Sequence, residues 1–292
     1  MPTLAHVNRI SLKNILLPTD FSPTSSNALP FARTLAEIYG SSLLLTHVIP
    51  PEPHRQVVMD RVPAEDNQVW RNAQHKLEEF KRNPCLADIP CKQLLDRGDL
   101  ADVIPAMIDD HAVDLVVLGT HGRRGVSKMV LGSGAEKIYR SASCPVLTVG
   151  PRAEAKGWAL RCILCPVDPA EHCEPALLYA LSLAEENQSE FVVLQAVPMV
   201  PWQHRLSVEQ ENRRLLEDLI PEQAKDWCSP QFLIRWDHPV EAILKAAEDR
   251  QADLIVMGVH KARAAGWSAH LPWPVASEVV SRSRCPVLTV RV

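Results

Sequence analysis

Residues 114–149 read DLVVLGTHGRRGVSKMVLGSGAEKIYRSASCPVLTV, and the order of residue types along that stretch decides the fold. An apolar run, DLVVLG, ends at Gly119. A glycine-bearing loop follows, then a segment in which Ala135, Ile138 and Ala142 recur at helical spacing, and then a second apolar run, CPVLTV. Short continuous runs of Val, Leu and Ile suit strands buried on both faces of a parallel sheet better than half-exposed alternating strands. Strand, helix and strand in succession imply a right-handed crossover. Ser133 with Glu136 three positions on forms a capping-box pattern, which predicts that the helix starts there.

Working outward, the same landmarks occur twice in the same order. CPVLTV returns at Cys285–Val290, DLVVLGTH (Asp114–His121) is matched by DLIVMGVH (Asp253–His260), and ILLPTD (Ile15–Asp20) by ILCPVD (Ile163–Asp168). Such self-similarity marks a tandem duplication. The polar stretch PRAEAKG (Pro151–Gly157) reads as the linker, leaving domains at 1–150 and 158–292. In the first copy NILLP, SLLLTHVI and CKQLL complete the strands. ALPFARTLAEIYG, stopped by Gly40, and a segment with Trp70, Ala73, Leu77 and Phe80 at helical spacing supply helices. Leu206–Trp227 reads as the helix following strand two of the second copy, packed on the core. The alternation gives an α/β protein of two tandem doubly wound domains, with a ligand site beyond the carboxyl ends of the strands.

The chain of 292 residues is 46% hydrophobic and 23% charged, an ordinary globular composition with room for two cores. A net charge of -4 argues against nonspecific nucleic-acid binding. MPTLAHVNRI lacks a signal-peptide core, and no segment reaches the roughly 18 apolar residues of a membrane helix, so the expected location is cytoplasmic. The eight cysteines are then read as reduced thiols. Cys162 and Cys165, with His172 and Cys173 nearby, raise a metal or redox site. Residues three apart on a strand face opposite ways, however, and buried structural cysteines are the better reading.

Three segments of the first copy meet at the ligand edge: Pro18, Thr19 and Asp20 after strand one, His47 and Val48 near the end of strand two, and Gly119 onward after strand four. Gly119 and Gly122 permit tight turns, cheap positive φ and close approach of a ligand to the backbone. Gly132 and Ser133 open a helix whose free amides favour an anion, with Arg123, Arg124 and Lys128 adding charge. A phosphate is the natural guest.

Gly119-x2-Gly122-x9-Gly132-Ser133 resembles the nucleotide-binding signature of the ATP-binding class of universal stress proteins. The resemblance covers both copies, and it implies a five-stranded parallel sheet flanked by helices in each (Rossmann-like, adenine nucleotide alpha hydrolase-like), with ATP across the strand ends. By position it puts Pro18, Thr19 and Asp20 at the nucleoside and the backbone of Val48 at adenine. Gly119 and His121 border the ribose and phosphates, and Gly122, Arg123, Gly132, Ser133 and Gly134 cradle the phosphates. Gly134 departs from the larger residue usual there. Mg2+ or Mn2+ on the phosphates is compatible with this, although no dedicated metal cage is present. The resemblance also implies that the two CPVLTV strands pair antiparallel, making one chain an intramolecular pseudo-dimer; association of two chains into a homodimer stays open.

The second copy carries Lys261 at the place of Gly122, and Leu271 and Pro272 at those of Gly132 and Ser133. A lysine in a left-handed conformation costs roughly 1 to 2 kcal/mol, and proline removes an amide donor. The expectation is one competent nucleotide site per chain. The alternative is a different ligand in the second copy, held by His260, His270, Trp267 and Trp273. Functionally the sequence points to an ATP-binding stress-response protein. No base or activated nucleophile stands at convincing spacing, so the balance leans against an enzyme. A slow ATPase using His121 to position water, and a nucleotide-free scaffold for protein binding, are the alternatives.

Overall fold

The Val-, Ile- and Leu-rich runs form the strands of a computed structural model that describes residues 10–51, 68–120, 132–199, 201–226, 228–259 and 273–291. Elements of the first copy run β1 (Asn14–Pro18), α1 (Pro23–Ser26), α2 (Leu29–Tyr39), β2 (Ser42–Ile49), α3 (Gln68–Lys81), β3 (Cys91–Arg97), α4 (Leu100–Asp110), β4 (Leu115–Gly119), α5 (Ser133–Ser141) and β5 (Val146–Val149). The second copy repeats the order with β6 (Cys162–Pro166), α6 (Glu174–Asn187), β7 (Glu190–Val197), α7 (Trp202–Asp218), β8 (Gln231–Trp236), α8 (Pro239–Asp249), β9 (Leu254–Val259), α9 (Trp273–Arg282) and β10 (Val287–Arg291). Among the described residues no helix is long and apolar enough to cross a membrane.

Two compact units result. In the first, residues 11–120 and 132–146, strands β3-β2-β1-β4 run parallel. In the second, residues 147–291, the order is β5-β10-β9-β6-β7-β8, parallel from β10 to β8. The two CPVLTV strands, β5 and β10, are hydrogen-bonded neighbours there. Strand burial explains the continuous apolar runs: Ile15, Leu16, Val116, Val117, Ile163 and Leu164 have no exposed surface. An aspartate before the fourth strand of each copy fixes the entry to the first strand. Asp114 accepts the Lys13 and Asn14 amides at 2.7 and 2.9 Å, and Asp253 the Arg161 and Cys162 amides at 3.1 Å.

Helix ends follow local chemistry. Gly40 stops α2 with φ 65°, its N–H donating to the Ala36 carbonyl. The matching position after α6 is Gln188, held at φ 53°. The Leu206–Trp227 reading needs correction: α7 spans Trp202–Asp218, and a separate 3-10 turn, Glu222–Asp226, follows Pro221. Leu216 is buried, whereas Leu206 is 76% exposed and belongs to no core.

Candidate functional site

At the carboxyl ends of the first unit's strands, Pro18, Thr19, Asp20, Val48, Gly119 and Gly134 line one cleft of about 110 Å³. Leu100, Leu118, Ala135 and Ile138 give it an apolar wall, and Ser25, Thr46 and His47 complete the polar side. The sequence had already singled out His47; Leu100 was missed, because its approach to Gly134 depends on how α4 and α5 pack.

A hydrogen-bond set shapes the loop after β1. The Thr19 amide donates to the Thr46 carbonyl at 2.8 Å, His47 Nδ1 lies 2.8 Å from the Thr19 carbonyl, and the Thr19 and Ser25 hydroxyls are 3.0 Å apart. The Phe21 amide donates to Thr19 Oγ1, and the Ser22 amide to Asp20 Oδ1, each at 3.0 Å. Phe21 adopts φ 62° and stacks on His47 with ring centroids 4.5 Å apart. A bulky residue in that conformation is strained and persists only where its surroundings enforce it. The β1–β2 register ends at Pro18↔Thr46, and strand alternation turns the Val48 backbone to the same side as Thr46. Its amide and carbonyl therefore lie beyond the end of β1 as an adjacent donor and acceptor at the cleft.

Two local readings are corrected. Gly119 is not among the positive-φ glycines, and a Cβ there would meet the Thr24 carbonyl oxygen at 2.2 Å. Its bareness is required by α1 packing on β4. Gly132, with φ -58° and ψ 145°, is the N-cap of α5, and Ser133 is its first residue; no side chain caps the helix. Glu136 instead pairs with Arg140 at 2.9 Å. The Ser133 side chain is exposed at the helix start, so its hydroxyl is not consumed by a cap. His121, Gly122 and Arg123 lie outside the described residues, as do Lys261, Leu271 and Pro272.

The second copy keeps the loop's backbone but not its polar lining. The Val167 amide donates to the Leu194 carbonyl at 2.8 Å, and Asp168 Oδ1 accepts the Ala170 amide at 3.0 Å, reproducing the Thr19 and Asp20 geometry. The residues matching Thr19, Ser25 and Thr46 are now Val167, Cys173 and Leu194, all buried. Gln195 replaces His47, and its Oε1 is buried without a hydrogen-bond partner among the described residues. Pro169 stands where Phe21 adopts positive φ, which a proline cannot do. Cys162 and Cys165 are both buried, and burial raises both thiols, Cys162 to about 11. His172 is exposed, and no metal-binding group of three or more His, Cys, Asp or Glu occurs among the described residues.

A family model described as the universal stress protein family matches residues 11–150 and 160–291. A universal stress protein of Mycolicibacterium smegmatis is 24% identical over 295 aligned residues, covering 95% of this chain and 96% of that protein. One of Methanocaldococcus jannaschii is 25% identical over 155 residues, covering 48% of this chain and 96% of its own. The crystal structure of a universal stress protein from Archaeoglobus fulgidus shares the fold, with a TM-score of 0.72 at 19% identity over 95% of this chain and 98% of that one.

Proposed function

Because the chain belongs to the universal stress protein family, we propose that its first copy binds an adenine nucleotide, ATP, and acts as a nucleotide-responsive stress protein, while the second copy has lost that site. The observation that carries this reading is the convergence of Asp20, the Val48 backbone and Gly134 on one cleft that leads to the start of α5. The apolar wall suits the faces of a base, and the adjacent donor and acceptor of Val48 suit the edge of adenine. Asp20 stands at the rim for the nucleoside. Ribose and phosphates then extend toward the α5 amides and the Ser133 hydroxyl, where the helix dipole favours negative charge. A divalent ion, if carried, would ride on the phosphates, with Asp20 the carboxylate lining the cleft. The described groups at the cleft orient and hold; none pairs a nucleophile with a base, so retention of ATP rather than rapid turnover is the expected behaviour.

Isothermal titration with ATP tests the reading, with one site per chain expected. Two equivalent sites, or none, would overturn it. Ser133→Ala should weaken binding by about 10- to 100-fold if the hydroxyl reaches a phosphate.

A further inference from the structure

The second unit holds a larger cavity at the opposite, amino-terminal ends of its strands. A groove of about 650 Å³ is bounded by the linker, by α8 and by the loop before β10. Its floor is prebuilt. Trp158, 9% exposed, donates its indole N–H to the Asp253 carbonyl at 2.8 Å, and Ser283 Oγ donates to the Cys285 carbonyl at 2.9 Å. The Glu154 amide reaches the Arg284 carbonyl at 3.4 Å, so the linker is tied to the far wall.

The charges on the walls are unevenly satisfied. Asp253 is taken up by two backbone amides and the Arg161 guanidinium, and Glu241 by Arg282 at 2.6 Å. Arg284 and Glu248 are 3.8 Å apart and both well exposed, a pair that contributes little. Arg152 and Lys156, on the linker, line the groove, are exposed and make no ion pair among the described residues, against the single unpaired carboxylate of Glu154. A groove of small-molecule volume with a pinned indole in its floor and surplus cations on its lip suits a compact anion. We propose that it is a second ligand site, independent of the nucleotide reading, for a small organic polyanion bearing carboxylate or phosphate groups.

Titration with citrate and with inorganic pyrophosphate at low ionic strength tests this. Saturable binding by the wild-type chain should weaken at least about tenfold in Arg152→Ala/Lys156→Ala, whose side chains make no hydrogen bond or ion pair among the described residues, and tighten in Glu154→Gln. Citrate affinity should be unchanged in Ser133→Ala, which separates this groove from the cleft of the first unit. No saturable binding, an unaltered affinity in the double variant, or an equal loss of citrate affinity in Ser133→Ala would overturn the proposal.

Discussion

Gly119 and Gly134 both line the cleft, yet the surrounding atoms make opposite demands on them. A Cβ on Gly119 would run into backbone, the Thr24 carbonyl at 2.2 Å, and backbone cannot swing aside. A Cβ on Gly134 would meet only the far end of Leu100 at 3.3 Å. Gly119→Ala is therefore expected to destabilise the first unit by about 1 to 3 kcal/mol, the range for overpacking. Gly134→Ala should be close to neutral, since a gain of helix propensity of about 1 kcal/mol offsets the displaced leucine. Urea unfolding of both variants decides the matter; equal shifts would refute the packing argument. Gln188 supplies the converse case. Its left-handed conformation costs roughly 1 to 2 kcal/mol, more than the roughly 0.5 to 1 that glycine forfeits in chain entropy. Gln188→Gly should thus raise the unfolding midpoint of the second unit, and a lowered midpoint would show that the Gln188 side chain does more than tolerate its backbone.

Helices in each unit are tied by an exposed acid and base far apart in sequence. Asp99, the N-cap of α4, pairs with Lys137 of α5, while Glu241 of α8 pairs with Arg282 of α9. The Lys137 hydrogen bond, helped by the Ala101 amide, holds the Asp99 carboxyl below the usual range; Arg282 does the same for Glu241. Because these folded carboxyls bind protons less readily than unfolded ones, the ties contribute above the unfolded value of about 4 and fade as pH falls through the lowered folded values. The stability difference between wild type and Asp99→Asn/Glu241→Gln should be small, level from neutral to about pH 5, and shrinking below that. A difference that stays level in acid would refute the assignment. Such ties were invisible in the sequence, where nothing marks Asp99 and Lys137 as partners. By contrast, CPVLTV, DLVVLG and SLLLTHVI announced their strands, since burial on both faces demands unbroken apolar runs. Asp20 and Val48 were legible because each stands at the end of such a run. The packing demand on Gly119 was not legible without the position of α1, and the α5 cap falls one residue early because Gly132 itself takes the capping conformation.

At the scale of the whole chain, the two copies share a scaffold and differ in the side chains that it carries. Both copies preserve the pairing of the second strand with the third, the aspartate at the start of the fourth strand and the amide-to-carbonyl contact that shapes the loop after the first. What differs is what that loop presents: hydroxyls and an imidazole in one copy, Val167, Cys173, Leu194 and an orphaned Gln195 oxygen in the other. Burying an unpaired amide oxygen is unfavourable by about 1 to 3 kcal/mol, so the second cleft is not simply the first one filled with hydrocarbon. Pro169 also denies the second copy the positive-φ turn that seats Phe21 against His47. Hydrogen exchange with and without saturating ATP should therefore show protection at residues 15–21, 46–50 and 132–138. Residues 163–169 and 194–198 should be unchanged. Protection of equal size in both sets would mean that the loss of hydroxyls and of the Phe21 turn has not silenced the second copy, and protection confined to the second set would reverse the assignment of the two.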